Sequence, residues 1–185
     1  MSFTMAIIPV VLVGAIILVY NSLIGKRNQI ENAEGALDAV LKQRFDLIPQ
    51  LIEVTKQYVL HEEKLLERII ELRSRGASAD SLKEKNQIDA EISNELKRLS
   101  VTVENYPQLL SNNNFTKLQD AMIDLEKNIS ASRRFYNTSV IEFNDAIQMF
   151  PGMLLASSMG LTKRERFSIE ENEKVIPNTK ELFKK

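Results

Sequence analysis

The chain of 185 residues has no cysteine and one histidine. Without thiols it holds no disulfide, no zinc knuckle, no iron–sulfur cluster and no cysteine nucleophile, and a single imidazole removes any multi-histidine metal site. Glycine is sparse. Gly14, Gly25, Gly35, Gly76, Gly152 and Gly160 stand far apart, so there is no glycine-rich phosphate loop and nucleotide hydrolysis is not expected. An excess of positive charge is missing too: 24 Lys and Arg face 25 Asp and Glu, for a net charge of −1, which argues against nucleic acid as a partner. The last lack is local. From Met1 to Gly25 no side chain is charged, and every charge falls in the residues that follow.

What is present begins with that stretch. Met5 to Ile24 is a run of twenty mostly aliphatic residues, which at about 1.5 Å per residue matches a hydrocarbon core of roughly 30 Å. Pro9 lies in the first turns, where its missing donor costs little, and Tyr20 falls where an interfacial aromatic sits. A cleaved signal peptide needs a basic start and a small-residue cleavage site, which neither flank supplies. An uncleaved anchor is therefore expected. Basic residues occur only on its C-terminal side, first Lys26 and Arg27, then Lys42 and Arg44. That asymmetry predicts a single pass of the cytoplasmic membrane with the N-terminus outside and the body in the cytoplasm.

Beyond the anchor the apolar residues recur in steps of three and four. Phe115, Leu118, Met122, Leu125, Ile129, Tyr136, Val140, Phe143, Ile147 and Phe150 predict one helix about 50 Å long, with Thr116 and Gln119 as a capping box and Pro151 as its stop. Leu82, Ile88, Ile92, Leu96, Leu99 and Val103 predict a shorter one that starts at Asp80 or Ser81. The earlier stripe runs from Ile30 to Leu72 with Pro49 as the obvious breaker. Because it continues across Pro49, one kinked rod leading out of the membrane is favoured over a fresh helix capped by Asp46. A short helix over Met153 to Met159, closed by Gly160, follows. The expected fold is all-α, a transmembrane helix continuing into an antiparallel bundle of three or four long helices. The expected division is an anchor over 1–25, a bundle over 26–160 and a polar tail over 161–185.

Some charges fall where apolar residues belong. At about 100° per residue, Glu62 lies mid-face among Ile48, Leu51, Leu65, Leu66 and Ile69, and Arg44 lies inside the arc of Ile30, Ala33, Leu37, Val40 and Leu41. Glu126, Arg133, Asn137 and Asn144 align along one line bordering the apolar face of the long helix. A buried unpaired carboxylate costs several kcal/mol, so Glu62 is expected to meet Arg44 or Arg133, or to be protonated. A structural ion pair that fixes helix register is favoured. An interface between subunits and a catalytic acid or base are the alternatives. A di-iron bundle site needs two Glu-x-x-His pairs, whereas His61 has Tyr58 three positions before it, so His61 is read as a surface residue and no cofactor is expected. Lys163, Arg164 and Arg166 form a small basic cluster, read as a solvated loop in preference to a lipid contact.

Five ordered segments resemble the LemA family of bacterial membrane proteins. They are YNSLIGKRNQIENA (20–33), LKQRFDLIPQLI (41–52), Tyr58 with His61 and Glu62, NYPQLLSNNNFTKLQ (105–119) and EKNISASRRFYNTSVIEFNDAIQMFP (126–151). Phe45 stands where relatives often have His. The resemblance implies an N-terminal anchor, an outside N-terminus and an intracellular bundle of long antiparallel helices, with no established reaction or cofactor to transfer. The expected function is a non-enzymatic membrane scaffold or adaptor. Its expected partners are the lipid bilayer, further copies of itself and possible other membrane proteins. A regulatory subunit of a membrane protease or transport system, or a metal-dependent hydrolase, are the alternatives.

Overall fold

The structure is a computed structural model that describes residues 2–59 and 61–167. Among these residues there are six α-helices and no strand. Helix α1 spans Ser2–Lys56 and passes through Pro9 and Pro49 without a break. Its stripe of Ile30, Ala33, Leu37, Leu41, Phe45 and Ile48 is buried, so side-chain packing outweighs the one backbone bond that Pro49 removes.

The rod does not continue to Leu72. It stops after Lys56, and α2 (Glu63–Ser78) turns back along it. Thr55 holds the corner, its hydroxyl donating to the Leu51 carbonyl at 2.7 Å and its own carbonyl accepting from the amides of Tyr58 and Val59 at 3.0 and 3.1 Å. Val54, Thr55, Tyr58 and Val59 are weak helix formers, and Val59 is buried as the turn closes. Further along, the Arg73 Nε donates to the Phe45 carbonyl at 3.0 Å, which fixes the antiparallel register of α2. Gly76 faces the Phe45 ring so closely that a Cβ would fall 2.7 Å from Cζ.

Helix α3 (Leu82–Val103) is capped by Ser81, whose hydroxyl accepts from the Glu84 amide. After the short α4 (Pro107–Leu110), α5 runs over Asn113–Gln148. Its cap is Asn112, which accepts from the amides of Asn114 and Phe115 at 2.9 and 3.2 Å, and not the expected pair Thr116 and Gln119. Thr116 lies inside the first turn and donates to the Asn112 carbonyl. Helix α6 (Gly152–Ala156) is shorter than expected, and Gly160 closes the turn after it with φ +63°.

The C-terminal half of α1 with α2, α3 and α5 makes an up-down-up-down four-helix bundle. Contacts of Lys26 with Glu142 and Arg44 with Glu126 set α1 and α5 antiparallel. One apolar cluster, from Leu37 through Ile129, fills the end remote from the chain's beginning. A second, built on Leu23, Ile30, Tyr136, Val140, Phe143 and Ile147, fills the near end. Residues 161–167, the start of the expected polar tail, lie on the body, with Leu161 and Phe167 packed on this second cluster. The rest of the expected tail lies outside the described residues.

Candidate functional site: a buried ion cluster and a clasped strap

Asp89 of α3 is the centre of the polar interior, with no exposed surface. Arg44 of α1, 2% exposed, donates from Nη1 to Asp89 Oδ1 at 3.0 Å, and Arg133 of α5 donates from Nη2 to Asp89 Oδ2 at 2.7 Å. Arg44 also pairs with Glu126 at 2.7 Å, and Ser93 bridges the two, accepting from Arg44 and donating to Glu126. The Arg133 Nε donates to the Asn86 side-chain oxygen. Two guanidinium groups therefore face two carboxylates, and three helices are tied at one level.

Burial pushes the Asp89 carboxyl above the usual carboxylate range, and the charges of Arg44 and Arg133 pull it back. Taking Asp89 and Arg44 out of water offsets much of the attraction between them, so a buried pair of this kind adds little net stability. Beside it, between α3 and α5, lies a recess of about 170 Å³ floored by Arg44 and walled by Leu51, Leu96, Phe115 and Met122. The Arg44 Nε is buried without a hydrogen-bond partner among the described residues.

Glu62 is not part of this cluster. It occupies the position before α2, half-buried, with its backbone carbonyl accepting from Leu65 and Leu66 and no ion pair to its side chain among the described residues. The projection that put it mid-face assumed one helix from Ile48 to Ile69, and the turn after Lys56 destroys that phase.

Asn137 and Asn144 clasp the strap 161–167. Each amide donates to, and accepts from, one backbone residue: Asn137 with Phe167 at 3.1 and 2.9 Å, Asn144 with Arg164 at 2.9 Å both ways. Seven helical residues rise about 10 Å and three extended residues span about 10 Å, so the two spacings match. The Tyr136 hydroxyl donates to the Glu165 carbonyl, and its ring meets Phe167 at 4.4 Å. Lys83 holds the exposed Glu165 carboxyl below its ordinary range and ties the strap to α3.

At the other end of the charge pattern, Tyr20 is 48% exposed, Lys26 pairs with Glu142 at 3.2 Å, and Arg27 pairs with Glu31 one turn on. Every large aliphatic from Ile7 to Leu18 is exposed. His61 is exposed, and no three His, Asp or Glu side chains among the described residues converge as metal ligands.

The model of the LemA family matches residues 33–180. The chain belongs to the LemA family. It is 26% identical over 163 residues to Protein LemA of Metamycoplasma hominis, covering 88% of this chain and 74% of that one. It is 20% identical over 184 residues to Magnetosome protein MamQ of Magnetospirillum gryphiswaldense, covering 85% and 68%. Magnetosome protein MamQ 2 of Paramagnetospirillum magneticum matches to the same extent. The ion cluster and both clasping asparagines lie inside the LemA match, whereas Tyr20, Lys26 and Arg27 precede it. With membership established and a helix long and apolar enough to cross a bilayer, this is a membrane-associated LemA protein.

Proposed function

We propose that this LemA protein is a non-enzymatic scaffold or adaptor that self-associates at the cytoplasmic membrane, with its bundle on the cytoplasmic side. The observation that carries the reading is the continuity of α1. An apolar length that the chain itself leaves uncovered runs, with no linker, into the stripe around which the bundle packs. Such a helix transmits position, because the bundle cannot swivel freely on its anchor.

The polar interior supports the same reading. Arg44, Asp89, Arg133 and Glu126 are engaged with one another, which leaves none of these four groups free to act as a base or nucleophile. The names of the relatives specify no reaction either. Confinement to two dimensions raises the effective concentration of copies, so modest side-to-side contacts suffice for assembly. Orientation rests on Lys26 and Arg27 flanking the span on one side only.

Light scattering in mild detergent tests self-association: a defined multimer is expected, and a monomer at micromolar concentration contradicts it. Elemental analysis of the same sample separates the classes, because a stoichiometric metal would favour the metal-dependent hydrolase over the scaffold.

A further inference from the structure

We propose that the corner between α5 and α6 is a second membrane contact, an apolar foot that enters the lipid interface beside the anchoring helix. The inference rests on α1 being the anchor. Met149, Phe150, Met153 and Leu154 are 64%, 76%, 51% and 63% exposed, and among the described residues no other short segment of the bundle presents four large apolar side chains together. The corner is also the middle of an uncharged stretch, since no charge occurs from Ala146 to Thr162. Two uncharged stretches of the chain thus meet at one end of the molecule.

Depth follows from the antiparallel pairing of α1 and α5. The Lys26–Glu142 ion pair marks a common level. Seven residues on from Glu142, at about 1.5 Å each, bring Met149 roughly 10 Å nearer the membrane. Seven residues back from Lys26 reach Val19, inside the apolar run, and Val19 packs on the same cluster as Leu155. Gly152 meets α1 closely, for a Cβ there would sit 3.4 Å from Leu23 Cδ2 and 2.1 Å from the Ala146 carbonyl oxygen. The corner is therefore held at the level of the last turn of the span, where water gives way to acyl chains.

Charge agrees with lipid as the occupant. Arg27, Lys163 and Arg164 line one recess just below the corner, together with Glu165, which pairs with Lys83. Glu142 and Asp145 are the acidic groups at that level on α5, and Glu142 is occupied by Lys26. An uncharged, apolar tip with basic side chains just below it fits the interface of a lipid bilayer.

The chain has no tryptophan, so a single introduced indole reports its own surroundings. Full-length Phe150→Trp, Tyr20→Trp and Leu110→Trp proteins are reconstituted in vesicles of phosphatidylcholine and phosphatidylglycerol carrying nitroxide labels near the headgroup. Leu110 is exposed at the opposite end of the bundle. The expected result is loss of fluorescence for Phe150→Trp and Tyr20→Trp, with Leu110→Trp undiminished. If Tyr20→Trp is quenched while Phe150→Trp stays as bright as Leu110→Trp, the foot is refuted and the anchor stands. Blue-shifted but unquenched Phe150→Trp emission means protein covers the corner, which also refutes it. If Tyr20→Trp itself is unquenched, the anchor fails and the foot with it. Met153→Trp repeats the test should Phe150→Trp lose helical circular dichroism.

Discussion

Residues 7–18 and residues 23–56 of α1 belong to one unbroken helix, yet they meet their surroundings in opposite ways. The first part is apolar on all sides and touches almost nothing: Val10 is 71% exposed and Leu18 72%. The second is apolar on one stripe, and that stripe disappears, with Ala33, Leu37, Leu41 and Ile48 at 0%. Apolarity without a period finds no partner inside the chain. A period of three and four tells each residue which neighbour to face. One helix can thus serve two solvents, and the change falls near Tyr20 to Lys26, where the first charges appear.

The difference is most easily broken by charging the first part. Leu12→Arg with Ile16→Arg places two guanidinium groups near mid-span, at roughly 2.5–3.5 kcal/mol each. The doubly substituted protein is expected to leave the membrane fraction during a carbonate wash. If it stays in the pellet, the first part is not the anchor.

In the second part the greatest loss is expected at Asp89. Asp89→Leu leaves Arg44 with only the half-exposed Glu126 and takes from Arg133 its carboxylate, which costs about 3–5 kcal/mol in a thermal melt. Replacing the cluster as a whole, with Arg44→Met, Asp89→Leu and Arg133→Met together, is expected to recover most of that stability while loosening helix register. A triple variant as unstable as the single one would show that the ion pairs themselves stabilise the fold.

How much of this could be read from residues alone depends on what each signal encodes. Ser81 and Pro151 are local signals, and both ends lie where local chemistry puts them. The turn after Lys56 has neither Gly nor Pro, and because α1 and α2 each present a stripe to the same core, the spacing of three and four carries on when written as one line. That illusion displaced Glu62. Asp89 carries a legible signal: with Ile88 at 0°, Leu96 lies at about 80°, Asp89 at about 100° and Leu82 at about 120°, so its carboxylate is inside the apolar arc. The partners of Asn137 and Asn144 had no signal, because they are backbone groups of Phe167 and Arg164 brought there by the turn at Gly160.

Two smaller substitutions sharpen the contrast between packed and open faces of the same bundle. Gly76→Ala drives a methyl into the Phe45 ring and is expected to cost about 1–3 kcal/mol. Gly35→Ala, in mid-helix with nothing within 4 Å of the new Cβ, is expected to add about 0.5–1 kcal/mol. Melting curves of the two should move in opposite directions. Asn137→Ala removes two hydrogen bonds to the strap, each worth about 1 kcal/mol. Its effect is expected mainly in hydrogen exchange, with amide protection lost at Phe167 and retained through α5.

The most direct test is a spin-label scan of α1 in the reconstituted, naturally cysteine-free chain, with single cysteines at Leu12, Ile16, Tyr20, Arg27 and Gln43. Collision with oxygen should exceed collision with a water-soluble nickel chelate at Leu12 and Ile16, and the order should reverse by Arg27 and persist at Gln43. Nickel access equal along the whole helix would contradict the division of α1 between lipid and water.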